Sequence, residues 1–423
     1  MRTYDTYKDS GIAWLGQIPS HWEVRRTKNL WHEVKSLSAD GQEHLLSVSQ
    51  YDGITQNNEG SRSESLIGYK IVEPNDLVIN IMLAWMGGLG VSRYKGIVSP
   101  AYCVYRLHET QSAKYFHYLY RTPYYLAEFA RRSTGVIPSR WRMYTDEFGC
   151  VASIVPPLDE QEAIVNYLTN AIAKIDEAIA QQQKMIDLLK ERKQIIINEA
   201  VTHGLDPNVP MKPTGIDWLP QIPAHWEMRK ISSIYLPNIG SGTTPMTGNN
   251  KYYVDDGINW LQSGDLNGSF VYETAKKISE SAMKDYGLKL YPKGSLVIAM
   301  YGASIGNLGL LQIETTVNQA CCVLCPTDKI IQEYAFFSFV CSKVHLINLS
   351  SGGGQPNISQ EKIKAHKIPF PPIDEQSSIV SYIVASTNPI NFAIAHSERM
   401  IELLKERKQI VINDVVTGKI KVS

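Results

Sequence analysis

The chain has 423 residues, enough for two or three domains, and 43% of them are apolar, so each domain can form a core. Its 42 basic and 42 acidic residues cancel, so no global field attracts nucleic acid or membranes, and a polyanion would have to bind at local patches. The N-terminus lacks an apolar signal sequence, and no uncharged apolar run predicts a transmembrane helix, so we expect a soluble, intracellular protein.

The chain begins with a segment that it later repeats. The string "SGIAWLGQIPSHWEVRR" from Ser10 returns as "TGIDWLPQIPAHWEMRK" from Thr214. Each copy carries two tryptophans, and their duplication favours a role in scaffold packing over stacking on bases. The four residues are Trp14, Trp22, Trp218 and Trp226.

The middle of each repeat differs in length and in sequence. Only a loose match connects "DLVINIMLAWMGGLG" from Asp76 with "SLVIAMYGASIGNLG" from Ser295. Repeated ends indicate a shared scaffold with one packing task, whereas divergent middles are free to present two different surfaces.

A long helix is predicted after each middle segment. "PPLDEQ" at Pro156 returns as "PPIDEQ" at Pro371, and "LLKERKQI" occurs unchanged at Leu188 and at Leu403. Seam residues follow at alternating spacings of four and three, as in a coiled coil. They are Leu168, Ile172, Ile175, Ile179, Gln182, Ile186, Leu189, Lys193 and Ile196, and then Ile383, Thr387, Ile390, Ile394, Ser397, Ile401, Leu404, Lys408 and Val411. Polar residues interrupt both seams at matching places, as residues that fix the register would.

A proline predicts where the second long helix starts. Pro389 lies inside the second seam, and proline is tolerated in the first turn of a helix, so we expect the long helix to start there, after a separate short helix. By analogy, the first helix is expected to bend near Ala173. A helix from Ile175 to Val201 would be about 40 Å long, at about 1.5 Å per residue. This length is comparable to one turn of B-DNA, roughly 34 Å.

Four of the six cysteines lie in one region: Cys321, Cys322, Cys325 and Cys341. Cys322 and Cys325 have CxxC spacing, but a zinc site would need a second ligand pair, for which only Cys341 and His345 are near. We favour the alternative, in which "QACCVLCP" is a buried strand with reduced thiols, and we predict no metal site.

Taken together, these strings resemble the specificity subunit of type I restriction-modification systems. The resemblance rests on the paired "HWE" segments, the paired "DEQ" segments with their helices, and the "GSGTTP", "WLQSGDLN" and "TVNQA" stretches. It implies an α+β fold, with two α/β target-recognition domains related by a pseudo-two-fold axis and separated by two long antiparallel coiled-coil helices. The expected domains are residues 1–158 and 214–372, the spacer helices residues 159–203 and 373–423, and the linker residues 204–213.

The resemblance also implies a DNA sequence-specificity subunit that performs no chemistry. Each target-recognition domain would bind one half of a bipartite site on double-stranded DNA. Two methyltransferase subunits, which modify adenine N6, and two motor and endonuclease subunits would act beside it in the prokaryotic cytoplasm, in defence against phage. S-adenosylmethionine, ATP and Mg would belong to those partners, and no cofactor is expected in this chain. The residues agree, because neither an Asp/Asn-Pro-Pro-aromatic loop nor a Walker A lysine is present.

On this interpretation, arginines of the first variable region are candidates for DNA contact. "RRSTGVIPSRWRMYTDE" contains a glycine and a proline, which predict an exposed loop, and arginine can bind guanine edges or phosphates. The alternative is a solvated basic surface. The candidates are Arg131, Arg132, Arg140 and Arg142, with Arg93 and Lys95 of "SRYKG" as a weaker loop.

The second variable region is richer in amides and hydroxyls. Gln355 and Asn357 of "SSGGGQPNIS" could bind adenine edges, and "IGSGTTP" has the same loop character. For Ser263 and Asn318, turn capping is the alternative. The further candidates are Thr243, Thr244, Gln262, Ser263, Tyr301 and Asn318.

Two other functions stay open at this point. One is a self-contained nuclease with duplicated binding domains, although no clear cluster of carboxylates and lysine is evident. The other is an adaptor with duplicated domains, which either binds DNA or, as a coiled-coil adaptor with no nucleic-acid role, would show no salt-dependent DNA binding.

Overall fold

The chain forms two compact units, each with its own core. The computed structural model describes residues 2–57, 65–108, 110–137, 141–350 and 356–422. Unit 1 comprises Met1–Gln183 and Glu398–Ser423, and unit 2 comprises Lys184–Ser397. The boundaries expected from the sequence give each long helix a segment of its own, whereas these units divide both helices.

Unit 1 combines short strands with helices. Its strands are β1 (Tyr7–Asp9), β2 (Gln17–Pro19), β3 (Glu23–Arg26), β4 (Trp31–Val34), β5 (Leu46–Ser49), β6 (Gly53–Gln56), β7 (Lys70–Val72), β8 (Leu77–Asn80), β9 (Leu89–Val91), β10 (Gly96–Val98), β11 (Tyr102–Leu107) and β12 (Ala152–Val155). Its helices are α1 (Ala113–Tyr120), α2 (Pro123–Arg132), α3 (Thr145–Gly149) and the first part of α4 (Leu158–His203), with 3₁₀ turns at Thr27–Asn29 and Ala84–Met86.

Unit 2 has the same kinds of element in a similar order. Its strands are β13 (Met211–Ile216), β14 (Leu219–Pro223), β15 (Glu227–Lys230), β16 (Ile239–Ser241), β17 (Tyr253–Val254), β18 (Ile258–Leu261), β19 (Ser269–Val271), β20 (Lys276–Ile278), β21 (Leu296–Ala299), β22 (Leu308–Leu311), β23 (Thr316–Val317), β24 (Cys321–Leu324) and β25 (Lys367–Phe370). Its helices are α5 (Ile231–Tyr235), α6 (Glu280–Asp285), α7 (Gln332–Asn348), α8 (Gln360–Ala365) and the first part of α9 (Ile373–Val416), with a 3₁₀ turn at Ser263–Asp265.

The central sheets of the two units share four strands in the same order, and unit 2 adds a fifth, β19, which runs parallel to β22. In unit 1 the strand order is β4-β11-β8-β9, and in unit 2 it is β16-β24-β21-β22-β19. The equivalent strands β8 and β21 are both fully buried, and β8 buries Asn80 together with its apolar residues. Alternate residues of β21 pack into two different cores, since Leu296 and Ile298 face one cluster and Val297 and Ala299 the other. The middle segments thus share a frame although their sequences diverge.

The repeated motifs contact each other within each unit. Gln161 donates a hydrogen bond to the carbonyl of Pro156 at 2.8 Å, and Gln376 does the same to Pro371 at 2.9 Å. The side-chain oxygen of each glutamine accepts a backbone N–H, from Ser112 in unit 1 and from Ile331 in unit 2. Each "DEQ" segment therefore connects the start of its long helix to the rest of its domain.

The predicted tryptophan scaffold is confirmed. Trp22 and Trp226 are fully buried, and Trp14 packs edge-on against Tyr125 with ring centroids 5.0 Å apart. Trp218 stacks on the ring of His366. All four rings pack inside their own domains, Trp22 and Trp226 fully buried and Trp14 and Trp218 half-buried.

The coiled-coil seam is confirmed in both long helices, because every predicted seam residue is buried or half-buried. In unit 1, Lys408 of α9 donates to both oxygens of Asp176 of α4, at 2.7 and 2.9 Å. In unit 2, Lys193 of α4 donates to Asn391 of α9 at 2.7 Å. The two lysines occupy matching positions of the repeat, and so do their two acceptors. In each unit, a lysine of one long helix thus donates to a polar side chain of the other at the matching position. The mixture of helices and strands also confirms the predicted α+β class.

The predicted helix start at Pro389 is wrong, because α9 runs without a break from Ile373 to Val416. A proline inside a helix costs about 3 kcal/mol, since it removes one backbone hydrogen bond and crowds the preceding turn. Burial of the seam residues Ile383 and Ile390, at about 1.5–3 kcal/mol each, offsets this cost. The first helix is likewise continuous past Ala173.

Among the described residues, one helix, α9, is long and apolar enough to cross a membrane by length and composition alone. It contains an 18-residue window with a mean hydropathy of 1.2. The same helix places Ile379 and Ile383 in the core of unit 2, and polar residues such as Ser378, Thr387 and Asn391 are spread along it. A core helix with this composition passes the same test, so the finding is weak evidence for a membrane span.

Candidate nucleic-acid interface

The candidate residues of unit 2 gather where several strands end. Strands β16 and β21 each pair antiparallel with β24, so both run in the same direction and end at the same edge. Strand β18 runs parallel to β23, and the amide of Asn318 donates to the carbonyl of Leu261 at 2.9 Å. The residues that follow these four strands therefore form one surface, which we call the unit 2 edge. Its members are Thr243, Thr244, Gln262, Ser263, Tyr301, Asn318 and Gln319, together with Asn357, which forms a bridge with Tyr301.

Close backbone packing joins the loop after β16 to the loop after β23. A Cβ atom on Gly242 would lie 1.5 Å from the carbonyl oxygen of Val317, so only glycine fits there. The hydroxyl of Thr244 donates to the side chain of Gln319, and the carbonyl of Thr243 accepts from the Trp260 indole at 3.3 Å. Thr243 and Gln319 are exposed at this edge.

Three of the candidates are held in turns. Asn318 is only 9% exposed, and its side-chain oxygen accepts the amide of Ala320 at 3.1 Å. This geometry matches the turn-capping alternative for Asn318. The amide of Gln262 donates to Asp265 at 2.8 Å, and Ser263 opens the 3₁₀ turn.

Tyr301 and Asn357 come together as a bridged pair. The adjacent amide of Ile358 donates to the carbonyl of Met300 at 2.8 Å. Burial raises the pKa of the Tyr301 phenol, and a hydrogen bond with Gln319 partly offsets the rise. Asn357 is exposed, so its amide could bind a base edge, while Gln355 lies outside the described residues.

Unit 1 has an equivalent edge with different side chains. The amide of Met143 donates to the carbonyl of Ile81 at 2.9 Å, as Ile358 does to Met300 in unit 2. By the repeat, Met82 occupies the position of Tyr301, and Arg142 that of Asn357. We call this surface, with the adjacent Trp85 and Trp141, the unit 1 edge. The two tryptophans pack edge-on at 5.3 Å.

The expectation of an exposed loop is wrong for Arg131 and Arg132, which form the last turn of α2. Both guanidinium groups bind the buried carboxylate of Glu128, at 2.7 and 2.6 Å, and Arg132 also reaches Glu147 at 3.3 Å. Burial raises the pKa of Glu128, but hydrogen bonds from the two arginines outweigh it and lower the pKa below its usual value. The side chain of Arg131 is still 63% exposed and keeps free N–H groups for a phosphate.

The remaining basic candidates differ in their environment. Arg93 and Lys95 lie in the predicted loop, between β9 and β10. Lys95 forms an ion pair with Glu73 at 2.9 Å, and its role stays a prediction. Arg93 faces a cavity of about 720 Å³ beside the helix pair of unit 1. Arg140 lies outside the described residues.

The cysteine region is a buried strand, as the favoured alternative predicted. Cys321 and Cys322 are adjacent on β24 and point into different cores, so their thiols do not converge. Burial raises the pKa of Cys322 to about 12 and that of Cys341 to about 12. Within the described part of the chain, no group of side chains could hold a metal ion.

Sequence reasoning missed two members of these edges. Gln319 lies in the "TVNQA" stretch, where only its neighbour Asn318 was singled out. Met82 was passed over because it is apolar, although the loose match of "DLVINIM" with "SLVIAMY" aligns it with Tyr301. That alignment could have identified Met82 as a member of the unit 1 edge from the sequence alone.

The chain matches known proteins in sequence. A family model described as the type I restriction modification DNA specificity domain matches residues 223–399. The putative type I restriction enzyme MjaX specificity subunit of Methanocaldococcus jannaschii is 22% identical, and the match covers 96% of both chains. The MjaIX specificity subunit of the same organism is 29% identical over 168 residues, but the match spans only 38% of that protein. The EcoBI specificity subunit of Escherichia coli is 25% identical, over 73% of this chain and 66% of that one.

The fold also matches solved structures. One is a chain from a study of complex assembly and conformational transition of the type I restriction-modification system, with a TM-score of 0.72 and 14% identity, covering 95% of this chain and 99% of that chain. Another is the HsdS subunit of Thermoanaerobacter tengcongensis, with a TM-score of 0.50 and 15% identity, covering 95% and 98%. Residues 223–399 therefore match the type I restriction modification DNA specificity domain, and over nearly its whole length the chain is similar in sequence and in fold to specificity subunits of type I restriction enzymes.

Proposed function

We propose that the chain is the DNA sequence-specificity subunit of a type I restriction-modification complex, in which each unit binds one half of a bipartite site. One observation carries the proposal: the same frame is built twice, and at the same edge of each frame the side chains differ. Unit 1 presents Met82 and Arg142 where unit 2 presents Tyr301 and Asn357. Two half-sites of different sequence need two surfaces with different side chains, and a duplicated scaffold provides them.

The catalytic steps belong to partner subunits on this proposal. The buried thiols have raised pKa values, which makes them poor nucleophiles. Two methyltransferase subunits would supply adenine-N6 methylation, and two motor and endonuclease subunits would supply restriction, in a prokaryotic cytoplasm. S-adenosylmethionine, ATP and Mg would bind to those partners.

The long helices carry a repeated apolar surface that suits a partner present in two copies. Exposed apolar residues recur at matching positions, and a partner with one binding face requires the same residues twice. They are Tyr167 with Tyr382, Leu188 with Leu403, and Ile195 with Ile410, between 39% and 52% exposed. We call these pairs the repeated stripe and propose that it binds the methyltransferase.

Methylation mapping tests the proposal. The chain and its methyltransferase partner are expressed in a host that lacks both, and modified adenines are located by long-read sequencing. We expect one bipartite motif with a fixed gap, and no motif when the chain is left out. Methylation without a motif would contradict the proposal. Cleavage of DNA by the lone chain with Mg would favour a self-contained nuclease instead.

A further inference from the structure

The two edges allow the candidate positions to be compared one by one. In unit 2 the bridged positions hold Tyr301 and Asn357, a hydroxyl and an amide. In unit 1 the equivalent positions hold Met82, which is 37% exposed, and Arg142, which is half-buried. The shared backbone hydrogen bond beside these positions, from Ile358 to Met300 in unit 2 and from Met143 to Ile81 in unit 1, thus supports two different chemistries.

Arg142 has unused hydrogen-bonding capacity. Its backbone is fixed, because its amide and carbonyl both bond to Thr134, at 2.9 and 3.0 Å. By contrast, the described residues offer its guanidinium no hydrogen bond or ion pair, whereas Arg131 and Arg132 both bind Glu128. A guanidinium with a fixed backbone and free donors is suited to bind an external acceptor.

The unit 1 edge is not a surface for the shared partner. Apart from Met82, its exposed apolar side chains include Leu83 and Met86. The repeat places Gly302 and Ile305 at the positions of these two residues, so the surface is not repeated in unit 2. A partner bound twice through one face would need both copies, as the repeated stripe has them. A surface that occurs in just one of the two units suits a ligand that differs between the units. On the proposed function, that ligand is the half-site.

We propose that Met82 and Arg142 form the base-contacting pair of unit 1, with Arg142 on the major-groove edge of a guanine and Met82 on the methyl group of a thymine. The inference rests on the proposed function and deepens it. Guanine presents two acceptors, N7 and O6, to the arginine fork, and thymine is the base that presents a methyl group in the major groove. In unit 2 the equivalent Tyr301 and Asn357 present hydrogen-bonding groups to their half-site.

Modified bases test the pair in the assembled complex with methyltransferase. Each guanine of the mapped first half-site is replaced by 7-deazaguanine, which lacks N7, and each thymine by deoxyuridine, which lacks the methyl group. For the unaltered chain we expect about a tenfold loss of affinity at one guanine and about a fourfold loss at one thymine. Arg142→Ala should bind the 7-deazaguanine duplex and its parent equally, and Met82→Ala should do so for the deoxyuridine duplex.

Matched variants of unit 2 provide the control. Asn357→Ala and Tyr301→Ala should keep the full sensitivity to both modified bases in the first half-site, because they act on the second one. Binding by the unaltered chain is decisive even if a variant fails to fold: a first half-site without a sensitive guanine and a sensitive thymine overturns the inference. The inference is also overturned if Arg142→Ala and Met82→Ala keep the sensitivity to the modified bases. It is overturned as well if these variants lose the methyltransferase while their base preference stays the same. Absence of any sequence-specific binding would instead contradict the proposed function.

Discussion

Glu160 and Glu375 occupy the same place in the two repeats but hold different numbers of partners. Glu160 accepts hydrogen bonds from Tyr4 at 3.0 Å, from the Trp22 indole at 2.9 Å and from His21 at 2.5 Å. Glu375 binds only His225, at 2.9 Å, among the described residues. The indole N–H of the buried Trp226 has no partner there.

This difference predicts unequal effects of the same substitution. Glu160→Ala leaves two buried donors without a partner and should destabilise unit 1 by about 2–4 kcal/mol. Glu375→Ala removes one bond to a half-exposed histidine and should cost unit 2 about 1 kcal/mol or less. Hydrogen exchange with mass spectrometry reports each unit separately, and equal losses in both units would contradict the assignment.

His366 gives unit 2 a predicted sensitivity to acid. Burial, and then the nearby His345, lower the pKa of His366 to about 4, and its ring bonds to Ser342 at 2.8 Å. The folded state therefore favours the neutral ring, so its stabilisation is complete above pH 6.5 and is lost as the pH falls from 6.5 towards 4. Lowering the pH from 7.5 to 5 should therefore reduce the free energy of unfolding of unit 2 by about 2 kcal/mol through this residue.

The variant His366→Gln isolates that contribution. Glutamine can still bond to Ser342 but does not titrate, so unit 2 of the variant should lose about 2 kcal/mol less than the natural chain over the same pH range. Hydrogen exchange of α7 and β25 at the two pH values measures the difference. Identical pH dependence in both proteins would show that the ring is not kept neutral by folding.

At the scale of elements, the repeated stripe can be tested one copy at a time. Leu188→Glu and Leu403→Glu each place a charge in one copy, so each should reduce the number of bound methyltransferase subunits from two to one, and the double variant should bind none. Native mass spectrometry at saturating partner counts them.

Phe392 provides the control for this experiment. It is 78% exposed, but the repeat places Glu177 at the equivalent position, so it is not part of the repeated stripe. Phe392→Glu should therefore keep both partner subunits. A one-to-one complex for the natural chain, or full assembly of the double variant, would contradict the proposed docking.

The helices are also predicted to set the gap between the half-sites. Four residues inserted after Gln183 in α4 lengthen the helix by about 6 Å, or about one turn. The unread gap of the methylated motif should then grow by one or two base pairs, at about 3.4 Å each, with both half-sequences unchanged. A stable, active insertion variant that keeps the original gap would rule out this role.

Local patterns predicted the helices well and the edges poorly. Every residue that the spacing of four and three predicted for the seam is buried or half-buried, because burial along one helix face depends on local periodicity. The break at Pro389 was predicted from a local penalty that burial of the seam outweighs. The helical end of α2 at Arg131 and Arg132 depends on Glu128, which is buried by tertiary packing. The pairing of Tyr301 with Asn357 joins residues far apart in the sequence, so no local pattern shows it.

At the scale of the whole molecule, unit 2 is one continuous segment, whereas unit 1 is completed by the C-terminal segment of the chain. In unit 1, Tyr115 donates to the carbonyl of Val416 at 3.1 Å, and Arg2 pairs with Lys421. Tyr115 belongs to the middle segment of unit 1, so this segment packs against a scaffold that includes the C-terminal end of the chain. Both contacts lie within unit 1, so we predict that its middle segment can be exchanged without altering the other unit.

The exchange of one middle segment tests the central claim most directly. Residues 25–153 are replaced by the corresponding segment of another specificity subunit, and the methylated motif is mapped by long-read sequencing in a host that expresses the methyltransferase partner. We predict that one half of the motif changes while the other half and the gap stay as they were. A change in both halves, or in neither, would contradict the account of two independent binding domains on a repeated scaffold.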